Sequence, residues 1–170
     1  MSERLRLIRG MVDDLRRHGG SVAATNGCFD VLHAGHIRSL GQAAALADFL
    51  VVLVNADESV RRLKGETRPI QPLAERMEML RAIRAVDLVL PFYEEHCGAE
   101  LKAIAPDVYA KSEEYRGHQH PAEEEALEAC GTRVGWLPRD PRYSTTDLIQ
   151  RIAAAEKHTH SGDVSARALP

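Results

Sequence analysis

In the opening stretch SERLRLIRGMVDDLRRHGG, apolar positions return every three or four residues, as Leu5, Ile8, Val12 and Leu15. A serine stands ahead of them and a glycine pair behind, so the spacing predicts a surface helix with a cap and a stop. SVAATN, at 21–26, is small and β-prone and reads as a strand. From Ala34 to Ala47 the periodicity returns to helical, with Ile37, Leu40, Ala44 and Ala47 on one face. FLVVLVNA is an unbroken Val-rich run, the signature of a strand covered on both sides. A polar loop holding Arg61, Lys64 and Arg68 is expected next, then a helix over Leu73–Arg84. The strand VDLVLPF, a helix at Gly98–Ile104, the strand DVYAK, a helix at Ala122–Cys130 and the strand TRVGWLP complete the alternation. STTDLIQRIAAAE is a last helix opened by hydroxyl side chains suited to capping.

Strand and helix alternate throughout, which predicts an α/β fold: a Rossmann-like, doubly wound, parallel five-stranded sheet with helices on both faces. The expected organisation is an N-terminal helix at 1–20, a main domain at 21–157, and a polar, patternless tail at 158–170. The chain has 170 residues, enough for one core. A formal charge of −3 gives no basic field, which argues against nucleic acid as partner. The absence of a long apolar run and of a signal peptide argues against a membrane. Three widely spaced cysteines without a CxxC fit a reduced cytoplasm.

The chemistry concentrates in TNGCFDVLHAGH, where the first strand hands over to a helix. His33 and His36, at i and i+3, project to one side of a first helical turn. That turn carries unpaired backbone N–H groups and the positive end of the helix dipole, which attract anions. Gly35 between them lets a bulky polyanion approach the backbone. The pattern therefore points to a phosphate site at the carboxyl ends of the strands, where doubly wound sheets bind ligands. Two other readings stay open: a pair of merely hydrogen-bonded surface histidines, and a zinc site from Cys28, His33 and His36 that lacks a fourth ligand.

GCFDVLHAGH resembles the (T/C)FDxxHxGH signature of the nucleotidyltransferase superfamily that includes glycerol-3-phosphate cytidylyltransferase and pantetheine-phosphate adenylyltransferase. TNGCFDVLHAGHIRSL, the stretch from LVVLVNADESVRRLKGETRPIQ to LVLPF, and YSTTDLI further resemble the D-glycero-β-D-manno-heptose 1-phosphate adenylyltransferases, over about Ser21 to Ile152. The resemblance implies that His33, His36, Lys64 and Arg139 are catalytic. It implies nucleotide contacts from Gly27, Cys28, Phe29, Gly35, Lys111, Ser144, Thr145 and Thr146. Asp30, Asn55, Asp57, Arg61 and Arg76 would shape the substrate pocket, with Arg61 and Lys64 on a basic loop and Arg76 facing the nucleotide. Each has a plain alternative: solvated arginines, a core phenylalanine, a helix cap without a ligand. The chain departs from its relatives at KSEEY (111–115), where KGGDY is usual, and at Arg142, where Gly is usual. His118 and His120 are either solvated loop residues or contacts to the acceptor.

The implied reaction joins ATP to a sugar 1-phosphate, with Mg²⁺ accompanying the triphosphate, in a homodimeric enzyme. The runner-up is a CTP-dependent enzyme acting on glycerol 3-phosphate or a similar alcohol phosphate. A third reading is a non-catalytic nucleotide-binding domain.

Overall fold

The computed structural model describes residues 2–161. Five strands, β1 (Val22–Gly27), β2 (Phe49–Asn55), β3 (Leu88–Phe92), β4 (Val108–Ser112) and β5 (Arg133–Leu137), form one sheet in the order β3-β2-β1-β4-β5. Every pairing is parallel. The helices are α1 (Glu3–Arg17), α2 (Ala34–Ala44), α3 (Asp57–Lys64), α4 (Leu73–Arg81), α5 (Gly98–Ile104), α6 (Pro121–Cys130) and α7 (Thr145–Ser161). The expected architecture is borne out.

The period-2 geometry of a strand divides the core into two layers. Val22, Ala24, Val51 and Leu53 face α1, α5 and α6 through Ile8, Val12, Leu101, Ile104 and Leu127. Ala23, Leu50, Val52 and Val54 face α2 and α4 through Leu40, Ala43, Met77 and Leu80. Residues 50–54 of β2 are fully buried, as its continuous apolar run requires. Pro91 is tolerated because β3 pairs on one side only, with β2.

The first part of the stretch expected as a polar loop is helical, while Arg68 lies in the loop between α3 and α4. Arg61 and Lys64 lie on α3, whose first turn carries Asp57 and Glu58 and whose last turn is basic, the charge order that suits the helix dipole. Helix α7 runs to Ser161, and the remainder of the expected tail, 162–170, lies outside the described residues.

Strand order runs one way from β1 through β2 to β3, then jumps to β4 and β5 on the other side of β1. The reversal between β1 and β4 places a crevice beyond their carboxyl ends.

Candidate active site

A cleft of about 1170 Å³ opens over that reversal. Its floor is the end of β1 and the loop leading to α2. Phe29 and Val31 in this loop have left-handed backbone conformations, with φ of 49° and 54°. A β-branched residue there is strained, and such strain persists only where surrounding contacts impose it. Asp30, between the two, supplies those contacts. Its buried carboxylate accepts from the N–H groups of Ile70 and Gln71 and from Arg68 Nε at 2.5 Å. Val31 N–H donates to Gln71 Oε1 at 3.0 Å. Burial alone would raise the Asp30 pKa, but the bonds from Gln71, Ile70 and Arg68 outweigh it and hold the carboxyl below its usual range. Asp30 therefore pins the 68–71 segment to the floor.

His33 caps α2 and His36 sits on its first turn, their rings stacked with centroids 3.9 Å apart. His33 N–H donates to His36 Nδ1 at 3.3 Å, so the neutral His36 ring carries its proton on Nε2. The Tyr143 ring lies on the His33 side at 6.2 Å, and Phe29 stands 5.7 Å from His36. Burial, then the neighbouring His33, lowers the His36 pKa to about 4, and burial lowers that of His33. Both rings are neutral donors at neutral pH while no anion is near.

Gly35 has a packing reason as well as the expected one. A Cβ there would stand 2.7 Å from Tyr143 Cβ and 2.9 Å from the His33 ring. At Gly27 a Cβ would meet the Phe29 ring at 3.2 Å.

The start of α7 closes one wall. Ser144 Oγ accepts from Asp147 N–H at 3.3 Å, and Thr145 Oγ1 donates to the Asp30 carbonyl at 3.2 Å. Thr146 lines the cleft beside them, and Asn55, Cys28 and the exposed Lys64 line it from the β2 side. Arg139 lines it too, paired at 2.8 Å with Glu114 of the KSEEY stretch. Lys111 is half-buried, and its ammonium is held by Asn26 Oδ1 (2.6 Å), Tyr109 Oη (3.2 Å) and Glu123 Oε2 (3.3 Å). His118 and His120, left open by the sequence, also line the cleft.

Three expected contacts fall elsewhere. Asp57, Arg61 and Arg76 do not line the cleft. Arg76 is fully buried and turned into the protein, donating to the carbonyls of Cys28, Asn55 and Gln71 and to Asp57 Oδ1. It ties the ends of β1 and β2 together rather than meeting a ligand, because its guanidinium bridges three main-chain oxygens that converge there. The zinc arrangement does not form: Cys28 Sγ donates toward Asn55 Oδ1 at 3.8 Å, and among the described residues no group of three His, Cys, Asp or Glu could hold a metal ion.

Sequence reasoning missed Tyr143, Arg38 and Asp140. Arg38 on α2 pairs with Asp140 at 2.7 Å and lies over the Tyr143 ring at 4.8 Å, fastening the β5–α7 connection above the imidazoles. Nothing local signals a contact spanning a hundred residues. Glu123, the buried counter-charge to Lys111, was hidden in a run of three glutamates.

An imidazole pair at a helix start, on the switch point of a parallel sheet, places this chain among α/β domains with a candidate site at the carboxyl ends of their strands. The chain belongs to the cytidylyltransferase-like family of nucleotidyltransferases, whose model matches residues 24–151. It is 42% identical over 148 residues to the bifunctional protein HldE of Pectobacterium atrosepticum, an alignment covering 87% of this chain and 31% of that protein. To HldE of Alkalilimnicola ehrlichii it is 44% identical over 144 residues, covering 85% and 30%. The chain thus spans less than a third of the length of these relatives. The crystal structure of a lipopolysaccharide core biosynthesis protein from Thermoplasma volcanium superposes with a TM-score of 0.58 at 27% identity, over 72% of this chain and 98% of that one. A pantoate-beta-alanine ligase from Francisella tularensis, 14% identical with a TM-score of 0.53, shares the fold over 88% of this chain and 74% of that one.

Proposed function

We propose that this protein transfers an adenylyl group from ATP to a sugar 1-phosphate, with D-glycero-β-D-manno-heptose 1-phosphate as the first choice of acceptor, giving ADP-heptose and pyrophosphate. The observation that carries this is the stacked His33–His36 pair at the start of α2, on the floor of a cleft at the sheet's switch point. Similarity to HldE proteins over most of the chain supports the choice of acceptor class.

A sugar-phosphate oxygen attacks the α-phosphorus in line, forming a new P–O bond as the bond to the β-phosphate breaks and pyrophosphate departs. The attacking phosphate is ionised at neutral pH, so no general base is needed. Catalysis rests on positioning and on donors aimed where charge develops. His36 Nε2–H and His33 supply those donors at the α-phosphate. Ser144 and the first N–H groups of α2 and α7, the Thr145 N–H among them, hold the tail, while Lys64 and Arg139 neutralise it. Arg139 must exchange Glu114 for phosphate, which is cheap for an ion pair whose side chains are 53% and 41% exposed. Mg²⁺ arrives as part of the ATP substrate, held by phosphate oxygens.

Among the described residues no helix is long and apolar enough to cross a membrane. A cytoplasmic setting suits an ATP-dependent reaction and three free cysteines. A homodimer is the assembly we propose; exposed Leu7 and Met11 on α1 support an apolar contact face, and light scattering of the purified chain tests it.

The experiment is a pyrophosphate-release screen of each nucleoside triphosphate against sugar 1-phosphates and glycerol 3-phosphate. Turnover with ATP and the heptose 1-phosphate is expected. Turnover only with CTP and an alcohol phosphate overturns the substrate choice, and nucleotide binding without any release overturns the activity.

A further inference from the structure

The cleft is larger than one substrate requires: about 1170 Å³, against the ~300–1,000 Å³ of a single-ligand pocket. It straddles the strand ends, with α2 and its imidazoles over one face of the sheet and α6 over the other. On the α6 side it is lined by Glu95, Ser112, Gln119 and His120, none of which the phosphate chemistry uses.

His120 Nδ1 accepts from Ala122 N–H at 3.2 Å, and His96 Nδ1 accepts from Gly98 N–H at 3.2 Å. The two rings stack at 4.5 Å, so His96 backs His120 and holds its plane. A neutral imidazole whose Nδ1 accepts carries its proton on Nε2, which leaves Nε2–H as the ring's remaining donor. In the lining of the same cleft, Gln119 Nε2 and Ser112 Oγ are buried without a hydrogen-bond partner. Buried polar atoms are nearly always paired, and an unpaired one is costly unless a ligand takes it. The wall offers no unengaged cation, because the Lys111 ammonium is held by Asn26, Tyr109 and Glu123. Glu95 adds an exposed carboxylate, 3.7 Å from Arg62 Nε. Neutral donors mixed with a carboxylate acceptor suit hydroxyl groups, which both give and take.

We propose that Ser112, Gln119 and His120, with Glu95, form a polyol-binding subsite that takes the hydroxyls of the acceptor sugar. The ribose of the nucleotide presents the same chemistry, and the test separates the two. The inference rests on the nucleotidyl-transfer reading for its substrates.

His120→Asn keeps a residue able to cap α6 while removing Nε2–H. Gln119→Leu removes the unpaired amide. Each is expected to raise KM for the sugar 1-phosphate roughly tenfold, with KM for ATP, kcat and Tm little changed. A rise in KM for ATP, with loss of discrimination against 2′-deoxy-ATP, supports the subsite with ribose as its occupant. Unchanged KM for both substrates overturns it. If the unaltered protein turns over no substrate pair, the reaction reading fails instead. The His96 and His120 ring protons then decide the subsite by NMR: shifts on adding the heptose 1-phosphate or ATP support it, and their absence overturns it.

Discussion

His36 carries two consequences of the same burial. Its pKa, lowered from 6.5 to about 4, leaves the unfolded chain binding more protons than the folded one across that interval. The stability it contributes is therefore complete above about pH 6.5 and is lost as pH falls through the folded value near 4. The full span corresponds to on the order of 3 kcal/mol. Thermal melts of the wild type should drop steadily over this window, and His36→Gln should flatten the drop; equal slopes would contradict the assignment. Asp30, whose pKa is lowered, adds a separate loss at more acid pH, below the ordinary carboxylate range. The second consequence concerns catalysis. Removing a donor aimed at developing charge costs ~10²–10³ in rate, so His36→Ala should lose that much kcat in pyrophosphate release. A bound triphosphate favours the protonated ring, so the His36 pKa followed by NMR should rise on adding ATP.

At the scale of elements, what could be read from the sequence was what neighbours in sequence decide. The imidazole pair was legible because i, i+3 spacing on a helix start fixes its geometry by itself, and β2 was legible from an unbroken apolar run. Arg76 was not legible. Its partners are Cys28, Asn55, Asp57 and Gln71, four points brought together only by the fold, and an isolated arginine on a helix most often faces water. The helical nature of α3 could have been read from its acidic start and basic end, but a short polar helix has little apolar pattern to announce it. Two predictions belong here. Arg76→Met leaves three buried or part-buried carbonyls short of this donor and should destabilise by ~2–4 kcal/mol in urea titration. Arg76→Lys should recover little of this, since one ammonium cannot reproduce the planar fork. Gly35→Ala forces Tyr143 or the His33 ring aside and should cut activity at least roughly tenfold with the fold retained by circular dichroism. Unaltered kinetics would show that Gly35 serves neither packing nor approach.

For the whole molecule, the sheet separates binding from scaffold. The strand reversal between β1 and β4 concentrates ligand contacts at one rim: the loop from Gly27 to His36, the end of β4 with Tyr115, and the connection from Arg139 to Thr146. Helix α1, by contrast, lies on the α5–α6 face and is anchored by Ile8 and Val12 to the sheet's interior. A nucleotide can steady the rim segments directly, because their residues line the cleft. Helix α1 packs chiefly on α5, whose Leu101 and Ile104 are fully buried and have little mobility left to lose. Hydrogen exchange with and without ATP should therefore show new protection in 27–36, 111–115 and 139–146, and none in Glu3–Arg17. Protection centred on α1 with an unchanged rim would mean that nucleotide binds away from the switch point, and the chemistry assigned to His33 and His36 would have no substrate to act on.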